Sequence, residues 1–148
     1  MRIEEVKSSI GREAGVSDWF PVTQELIDQY AALTGDPQWI HVDRERARLE
    51  SPFGTTVAHG FLTVGLLSKL VFQAAPVEIA CKMKINYGFN KLRFPAPVRS
   101  GSRIRAHVTP NAVRDVEGGI EIAWGVVVEI EDQGKPALAA EWLLRIYF

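Results

Sequence analysis

The sequence predicts an α+β fold in which a curved antiparallel β-sheet wraps around one buried central helix. Two observations predict it. The segment Gly60–Phe72 is apolar nearly all round, which is typical of a helix buried on most sides. After that segment, apolar and polar residues alternate in runs separated by hairpin turns. Since 148 residues fit one domain, we expect a single domain over residues 1–148.

The stretch before the central helix predicts two helices joined by a loop. Thr23 can cap the start of the first helix, and Gly35 can end it. A loop is expected from Asp36 to Ile40, followed by a short helix that starts from Asp43 as its cap. The first helix is predicted from apolar residues at helical spacing, namely Leu26, Ile27, Tyr30, Ala31 and Leu33.

The central helix contains one unfavourable residue. Gly65, near its middle, costs about 1 kcal/mol of helix stability relative to alanine. We therefore expect another backbone to approach closely at Gly65, where a side chain would be in the way.

The second half of the chain predicts at least four antiparallel strands, each with one apolar face. In the run Gly119–Glu131, this face consists of Ile120, Ile122, Trp124, Val126, Val128 and Ile130. Two other runs place together Ile104, Ala106 and Val108, and Trp142, Leu144, Ile146 and Phe148. Because such a sheet has free edges that a two-fold partner can extend, we expect a homodimer.

Composition argues against several classes of function. A net charge of −1 argues against a nucleic-acid-binding protein. The single cysteine, Cys81, cannot form an internal disulfide and is expected to be a core or edge packing residue. One cysteine and scattered histidines supply no metal cluster. The longest apolar run is too short to cross a bilayer, and the N-terminal residues are too charged for a signal peptide. We expect a cytoplasmic protein with no cofactor, no metal and no membrane insertion.

Basic residues are concentrated in one part of the chain. Between Ile79 and Arg114 there are eight lysines and arginines and no acidic residue. Alternation places several of them on solvent-facing positions, so they form either a solvated face or a surface for an anionic ligand such as a phosphate-bearing tail. His107 lies within this stretch and is expected to be solvated.

Two residues of the predicted loop can do chemistry together. Pro37 keeps Asp36 out of helical conformation, so the loop has a defined shape that can bring Asp36 and His41 to one point. A carboxylate beside an imidazole can hold and activate a water molecule. In the alternative interpretation, which spacing alone favours, Asp36 caps a turn and His41 is a packing residue.

The start of the central helix is a second candidate. The first amides of a helix lack internal acceptors, and Gly60 lets a ligand oxygen approach its N–H closely. Such an amide suits an oxyanion hole for a thioester carbonyl, although Gly60 can equally serve only to let two backbones pass. Ser68 lies two turns beyond Phe61, and a serine in an apolar helix usually bonds back to a carbonyl one turn earlier.

Three motifs in order resemble one known family. "TGDPQWIHVDRERA", "GTTVAHGFLTVGLLSKL" and "INYGFNKLRFPAPVRSGSRIR" resemble the MaoC-like dehydratases, the (R)-specific enoyl-CoA hydratase family with a hot-dog fold. The resemblance covers about Val22 to Arg105. It implies reversible addition of water to a trans-2-enoyl-CoA thioester, which gives an (R)-3-hydroxyacyl thioester without a metal or redox cofactor.

The resemblance also implies roles for individual residues. Asp36 and His41 match the catalytic pair, which binds one water. His41 takes a proton from that water as its oxygen attacks C3, and Asp36 supplies a proton at C2. Gly60 matches the glycine whose amide binds the thioester carbonyl, and Ser68 matches a serine that supports the pair.

Further residues are expected at the substrate. His59 is expected to hold the loop against the helix start so that the Gly60 amide points correctly. Many family members carry an Asn-Pro pair between the Asp and the His, whereas this chain has Pro37-Gln38-Trp39-Ile40 there. Trp39 is expected to line or narrow the pocket. Asn90 and Arg93 are expected to bind substrate, Arg93 through the coenzyme A phosphates.

Two other functions stay open at this point. Hot-dog thioesterases hydrolyse the same kind of substrate, but they often carry an acidic residue on the central helix, and Gly60–Phe72 contains none. A non-catalytic acyl-thioester-binding protein is disfavoured only weakly, by the presence of both Asp36 and His41.

Overall fold

Five helices and six strands make up the fold. The computed structural model describes residues 1–148. Its helices, in chain order, are α1 (Ile3–Ser8), α2 (Gln24–Thr34), α3 (Trp39–Val42), α4 (Arg44–Glu50) and α5 (Gly60–Ala74). Its strands are β1 (Gly15–Val16), β2 (Phe20–Pro21), β3 (Met83–Arg93), β4 (Arg103–Val116), β5 (Gly119–Ile130) and β6 (Leu138–Tyr147).

All strands belong to one antiparallel sheet. The order is β1-β4-β5-β6-β3, and β2 pairs with another part of β4. The DVEGG turn joins β4 to β5, and the EDQGKP turn joins β5 to β6, as predicted. Strand β3 pairs only with β6, so one side of this 11-residue strand is a free edge.

One face of the sheet packs against α5 to form the core. The predicted alternation of apolar and polar residues is confirmed along β4 and β5. All six predicted inward residues of β5 and all three of β4 are buried. From α5, Leu67, Leu70 and Val71 join the same core. The prediction for Phe148 is wrong: its side chain is exposed because β6 ends one residue earlier, at Tyr147.

The helix termini before the core follow the predicted capping. The hydroxyl of Thr23 accepts a hydrogen bond from the Leu26 N–H at 3.2 Å, and Gly35 ends α2 with a left-handed φ of 68°. Asp43 caps α4 by accepting from the Arg46 N–H at 2.9 Å. The prediction of an unbroken loop to Ile40 is wrong, because α3 begins at Trp39.

The turn of α3 has a simple local cause. After Gly35, Pro37 keeps the chain from continuing α2. The His41 N–H then donates to the Gln38 carbonyl at 2.9 Å, and the Asp43 N–H donates to the Trp39 carbonyl at 3.0 Å. These two bonds close one helical turn that carries His41 inward.

The central helix is less enclosed than its composition suggests. Phe61 is 66% exposed, and a Cβ on Gly65 would meet no heavy atom within 4 Å. The expected close backbone approach at Gly65 is therefore wrong within this chain. Phe61, Gly65 and Lys69 lie four residues apart, so they form one stripe that faces away from the sheet. No helix in the protein combines the length and the apolar character needed to cross a membrane.

The basic stretch does not form one surface. Three of its arginines pair with carboxylates of β5 or of the residue that follows it, in Arg103–Glu131, Arg105–Glu129 and Arg114–Glu121. Strand pairing brings these acids beside β4, which local sequence does not reveal. His107 lies on the outer face of the sheet with 31% of its side chain exposed, and two carboxylates that the sequence did not place beside it bind its ring. Its ring lies 2.9 Å from Glu13 and 2.7 Å from Glu129, and chiefly the Glu129 bond raises its pKa above the usual value.

Candidate active site

Asp36, His41 and His59 converge on one point. Each offers a ligand atom, a carboxylate oxygen or a ring nitrogen, and these atoms lie within 4.8 Å of one another. The imidazoles of His41 and His59 stack with ring centroids 3.7 Å apart and both are buried. The side chain of Asp36 is 56% exposed. The cluster therefore pairs a solvent-accessible carboxylate with two desolvated imidazoles.

The surroundings of His41 leave one of its ring nitrogens free to accept a proton. Its Nδ1 lies 2.6 Å from the carbonyl oxygen of Val57. Because a carbonyl only accepts, Nδ1 carries the proton and Nε2 keeps its lone pair. Burial lowers the pKa of His41 below its ordinary value of 6.5, against the opposing effects of the Val57 bond and Asp36. The ring therefore stays neutral and able to accept a proton under mildly acidic conditions.

This pKa has a measurable consequence for activity. If neutral His41 is the base, kcat/KM falls only as the pH drops through the lowered pKa of His41. We expect the acid limb of the kcat/KM profile at a pH below 6.5, the ordinary histidine value. A pH series with crotonyl-CoA measures it. An acid limb above that value contradicts the assignment of His41 as a desolvated base.

His59 ties the loop to the start of α5. Its Nε2 lies 2.9 Å from the backbone carbonyl of Asp36 and 3.9 Å from the Asp36 carboxylate. Nε2 must donate to that carbonyl, so Nδ1 is the acceptor nitrogen, and it is buried without a partner. Tyr30 also packs against this ring, with 4.9 Å between the ring centroids. His59 is thus placed to position Asp36 and to stack against His41.

The amide of Gly60 is free. The N–H groups of Leu62 and Thr63 donate to the His59 carbonyl, whereas the Gly60 N–H has no acceptor within the chain. It is the first amide of the 15-residue helix α5, where the helix dipole favours negative charge. A Cβ at Gly60 would come within 3.1 Å of the Phe94 ring. A glycine at this position therefore lets the Phe94 ring pack closely against the start of α5.

These groups line one cavity of about 440 Å³. Its lining residues are Tyr30, Thr34, Asp36, His41, His59, Gly60, Phe61 and Phe94. Four of the eight predicted site residues are among them. The sequence did not predict the other four lining residues, because their local pattern indicates only packing. These are Tyr30, Thr34, Phe61 and Phe94.

The other four predicted site residues lie elsewhere. Ser68 is half-buried on α5, about 12 Å of helix rise beyond Gly60, and no hydrogen bond joins it to the cluster. Trp39 packs beneath Arg46, whose guanidinium carbon lies 4.4 Å from the ring centroid, and does not line the cavity. Within this chain, Ser68 and Trp39 therefore lie outside the cavity that Asp36, His41, His59 and Gly60 line.

Asn90 and Arg93 belong to β3, away from the cluster. The Asn90 amide donates to the carboxylate of Glu141 at 2.6 Å, across the β3–β6 pair. Arg93 donates to the neighbouring Leu92 carbonyl and is exposed. Strand pairing directs the Asn90 side chain to Glu141, so within this chain Asn90 does not line the cavity. Arg93 is close in sequence to Phe94, but it does not line the cavity.

Gln24 is a positioning residue that the sequence reasoning missed. Its side chain is buried, donates to the His41 carbonyl at 2.7 Å and accepts from the hydroxyl of Thr56. It thereby joins α2, α3 and the segment before α5. The sequence feature that could have revealed Gln24 is its position: a polar residue on the same helix face as the buried Ile27 and Ala31.

We expect Gln24→Ala to lower kcat by about tenfold to a hundredfold, since a small displacement of a catalytic group has effects of this size. The free energy of unfolding should fall by about 1–3 kcal/mol, because the His41 carbonyl loses a buried donor. Kinetics and denaturant titration measure both quantities. Gln29→Ala is the matched control, because Gln29 is exposed on the same helix. Equal kinetics in the two variants would show that Gln24 does not position His41.

The cluster does not suit a metal ion. A metal lies in the plane of each ligating ring, about 2.0–2.1 Å from the nitrogen. The rings of His41 and His59 are stacked 3.7 Å apart with 23° between their planes, so the two planes that contain their lone pairs are nearly parallel. They do not converge on one ion unless a ring turns out of the stack.

Comparisons with known proteins agree with this architecture. Residues 5–131 match the family model described as MaoC like domain. The chain is 46% identical over 144 residues to 3-hydroxyacyl-thioester dehydratase Z of Mycobacterium tuberculosis, covering 97% of this chain and 94% of that protein. It is 44% identical over 147 residues to nodulation protein N of Rhizobium meliloti, covering 99% and 91%. A MaoC-like dehydratase structure from Rhodospirillum rubrum superposes with a TM-score of 0.79 at 21% identity, covering 99% and 97% of the two chains. This likeness confirms the predicted α+β hot-dog fold.

Proposed function

Because this chain belongs to the MaoC-like dehydratase family and is a hydro-lyase, we propose that it adds water reversibly to trans-2-enoyl-CoA, forming (R)-3-hydroxyacyl-CoA. One observation carries the proposal: a carboxylate, a neutral imidazole and a free helix N-terminal amide meet at one cavity. The name of the Mycobacterium tuberculosis relative, a 3-hydroxyacyl-thioester dehydratase, supports the same substrate class.

The water lies between Asp36 and His41. Nε2 of His41 is the lone-pair nitrogen, so it takes one proton from the water while the water oxygen bonds to C3. The electron pair of the C2–C3 double bond moves toward C1 and places negative charge on the thioester oxygen. The N–H of Gly60 and the dipole of α5 stabilise that oxygen.

The proton taken from the water goes on to C2. The imidazolium of His41 passes it to the Asp36 carboxylate, and the Asp36 carboxyl group delivers it to C2, which collapses the enolate to the 3-hydroxyacyl thioester. Both groups then end in their starting forms, a carboxylate and a neutral imidazole. Dehydration runs through the same steps in reverse.

We also propose that the protein works as a homodimer. The free edge of β3 exposes Met83, Ile85 and Tyr87, and the outer stripe of α5 exposes Phe61. A second copy that adds its own β3 across a two-fold axis would cover these apolar side chains and extend the sheet. Sedimentation velocity should give twice the mass of one chain, and a monomer at micromolar concentration contradicts this assembly.

An assay with crotonyl-CoA tests the function. Two signals are followed together: the absorbance of the enoyl thioester and the release of free thiol. Loss of the enoyl absorbance without thiol supports the hydratase. Release of thiol means a thioesterase, and binding of crotonyl-CoA with neither signal means a non-catalytic binder.

A further inference from the structure

We propose that residues 11–17, which contain β1 and are here termed the strap, cover one side of β4 and are locked there by a proton on His107. The lock makes access to this side of β4 dependent on pH. The inference does not depend on the proposed function, because none of the residues that carry it lines the catalytic cavity.

The strap satisfies the backbone groups along one side of β4. Three of its N–H groups donate to β4 carbonyl oxygens: Gly11 to Pro110 at 2.9 Å, Ala14 to Val108 at 2.8 Å and Ser17 to Ala106 at 2.9 Å. The Ser17 hydroxyl also accepts from the Ala106 N–H at 2.9 Å. The other side of β4 pairs with β5. Without the strap, β4 would present an open sheet edge, which is a template for pairing with another chain.

The strap also covers the end of the central helix. A Cβ on Gly15 would overlap the carbonyl oxygen of Ala74, the last residue of α5, so the strap passes directly over this carbonyl. Lifting the strap would therefore uncover the end of α5 together with the side of β4.

His107 joins the strap to the sheet through both of its ring nitrogens. Nδ1 lies 2.9 Å from the carboxylate of Glu13, and Nε2 lies 2.7 Å from that of Glu129. Because carboxylates only accept, both nitrogens must carry protons, and a ring that makes both bonds is an imidazolium. A neutral ring has one N–H, so loss of a proton breaks one of the two bonds.

The bond to the strap is the one that breaks. Glu129 is also held by Arg105 at 2.6 Å, whereas Glu13 is 53% exposed and has no other partner. The other charged group near the ring is Lys135 in the turn between β5 and β6, which lines a surface hollow together with His107 and Glu129. A cation there favours the neutral ring, and the directly bonded carboxylates oppose it.

The pH range of the lock follows from the same contacts. The pKa of His107 is raised above its ordinary value of 6.5, chiefly by the Glu129 bond. A group whose pKa is raised by a contact contributes its full stabilisation below the ordinary value and loses it as the pH rises through the raised value. The strap is therefore locked in mildly acidic solution and released in alkaline solution.

Hydrogen exchange followed by NMR tests the lock on the whole protein. The probes are the strap amides of Gly11, Ala14 and Ser17, compared as protection factors between about pH 5.5 and about pH 8.5. The reference is the amide of Ala58, which donates to the Val98 carbonyl outside the strap. We expect the protection of the strap amides to fall about threefold to tenfold over this range, the scale of a partly exposed charged hydrogen bond, while that of Ala58 stays constant.

Two variants remove the proton dependence from opposite sides of the lock. His107→Gln has no titrating ring and Glu13→Gln has no carboxylate, so in both the strap protection should be low at acid pH and nearly independent of pH. Glu117→Gln, an exposed acid in the turn between β4 and β5, is the matched control and should keep the wild-type fall. If His107→Gln does not fold, which the protection of Ala58 reports, Glu13→Gln carries the test. Strap protection that is constant with pH in the wild type, or that falls as far in the folded variants as in the wild type, overturns the proposal.

Discussion

His41→Ala should lower kcat for hydration of crotonyl-CoA by at least about 100-fold, the scale for losing a general base. The Nδ1–H of His41 is bound to the Val57 carbonyl, so Nε2 is the nitrogen that faces the water with a free lone pair. Burial keeps the ring neutral by lowering its pKa. Alanine removes the lone pair and leaves the free amide of Gly60 in place. The remaining rate would come from binding and oxyanion stabilisation.

Two controls separate chemistry from structure. His41→Asn retains an amide N–H that can donate to Val57 but has no base, so it should be as slow as His41→Ala. His107→Ala removes a histidine on the outer side of the sheet, held by Glu13 and Glu129, and should keep near-normal turnover. Steady-state kinetics with thermal unfolding of each variant make the comparison. Turnover near wild type in folded His41→Asn is incompatible with a base at this position.

Asp36→Asn should also lower kcat by at least about 100-fold. The amide has the shape of the carboxylate but cannot deliver a proton to C2. Because the Asp36 side chain is half exposed, and His59 bonds its backbone carbonyl, the substitution should leave the loop in place. The loss should therefore fall on kcat, with little change in the temperature of unfolding.

Asp132→Asn is the matched control for this substitution. Asp132 is exposed in the turn between β5 and β6 and has a positive φ of 58°, which asparagine tolerates well. It should have wild-type kinetics. Similar rates for Asp36→Asn and Asp132→Asn would remove Asp36 from the mechanism.

Local patterns predicted most of the fold. The period-two alternation of β4 and β5 placed their inward residues correctly, because one face of the sheet packs on α5 and the other does not. Thr23 and Asp43 were predicted as caps because a side-chain oxygen at these positions satisfies the first amides of a helix. Such features depend only on neighbours along the chain.

The site was predictable only where its residues share one short motif. His59 and Gly60 are adjacent, and the turn of α3 carries His41 back toward Asp36. The bonds that hold the site instead join distant segments: Gln24 to His41, His41 to Val57, and His59 to Asp36. Periodicity contains no signal for such contacts.

The predicted site residues that lie away from the cavity share one cause. Ser68 is near Gly60 in sequence but far along the helix axis. Asn90 is turned toward Glu141 by the pairing of β3 with β6, and Trp39 is covered by Arg46. In each case, membership of a motif said nothing about the direction of the side chain.

The central claim is that Asp36 and His41 direct one water molecule to C3 of an enoyl thioester held at the Gly60 amide. Turnover of crotonyl-CoA in isotopically labelled water tests it most directly, by locating the labelled oxygen in the product with mass spectrometry. We predict that the label appears in the hydroxyl group of (R)-3-hydroxybutyryl-CoA. The wild type and His107→Ala should form this labelled product at similar rates, whereas His41→Asn and Asp36→Asn should form it only at trace rates. Label in the carboxylate of free crotonic acid, or undiminished labelling of the hydroxyl by the two site variants, would contradict it.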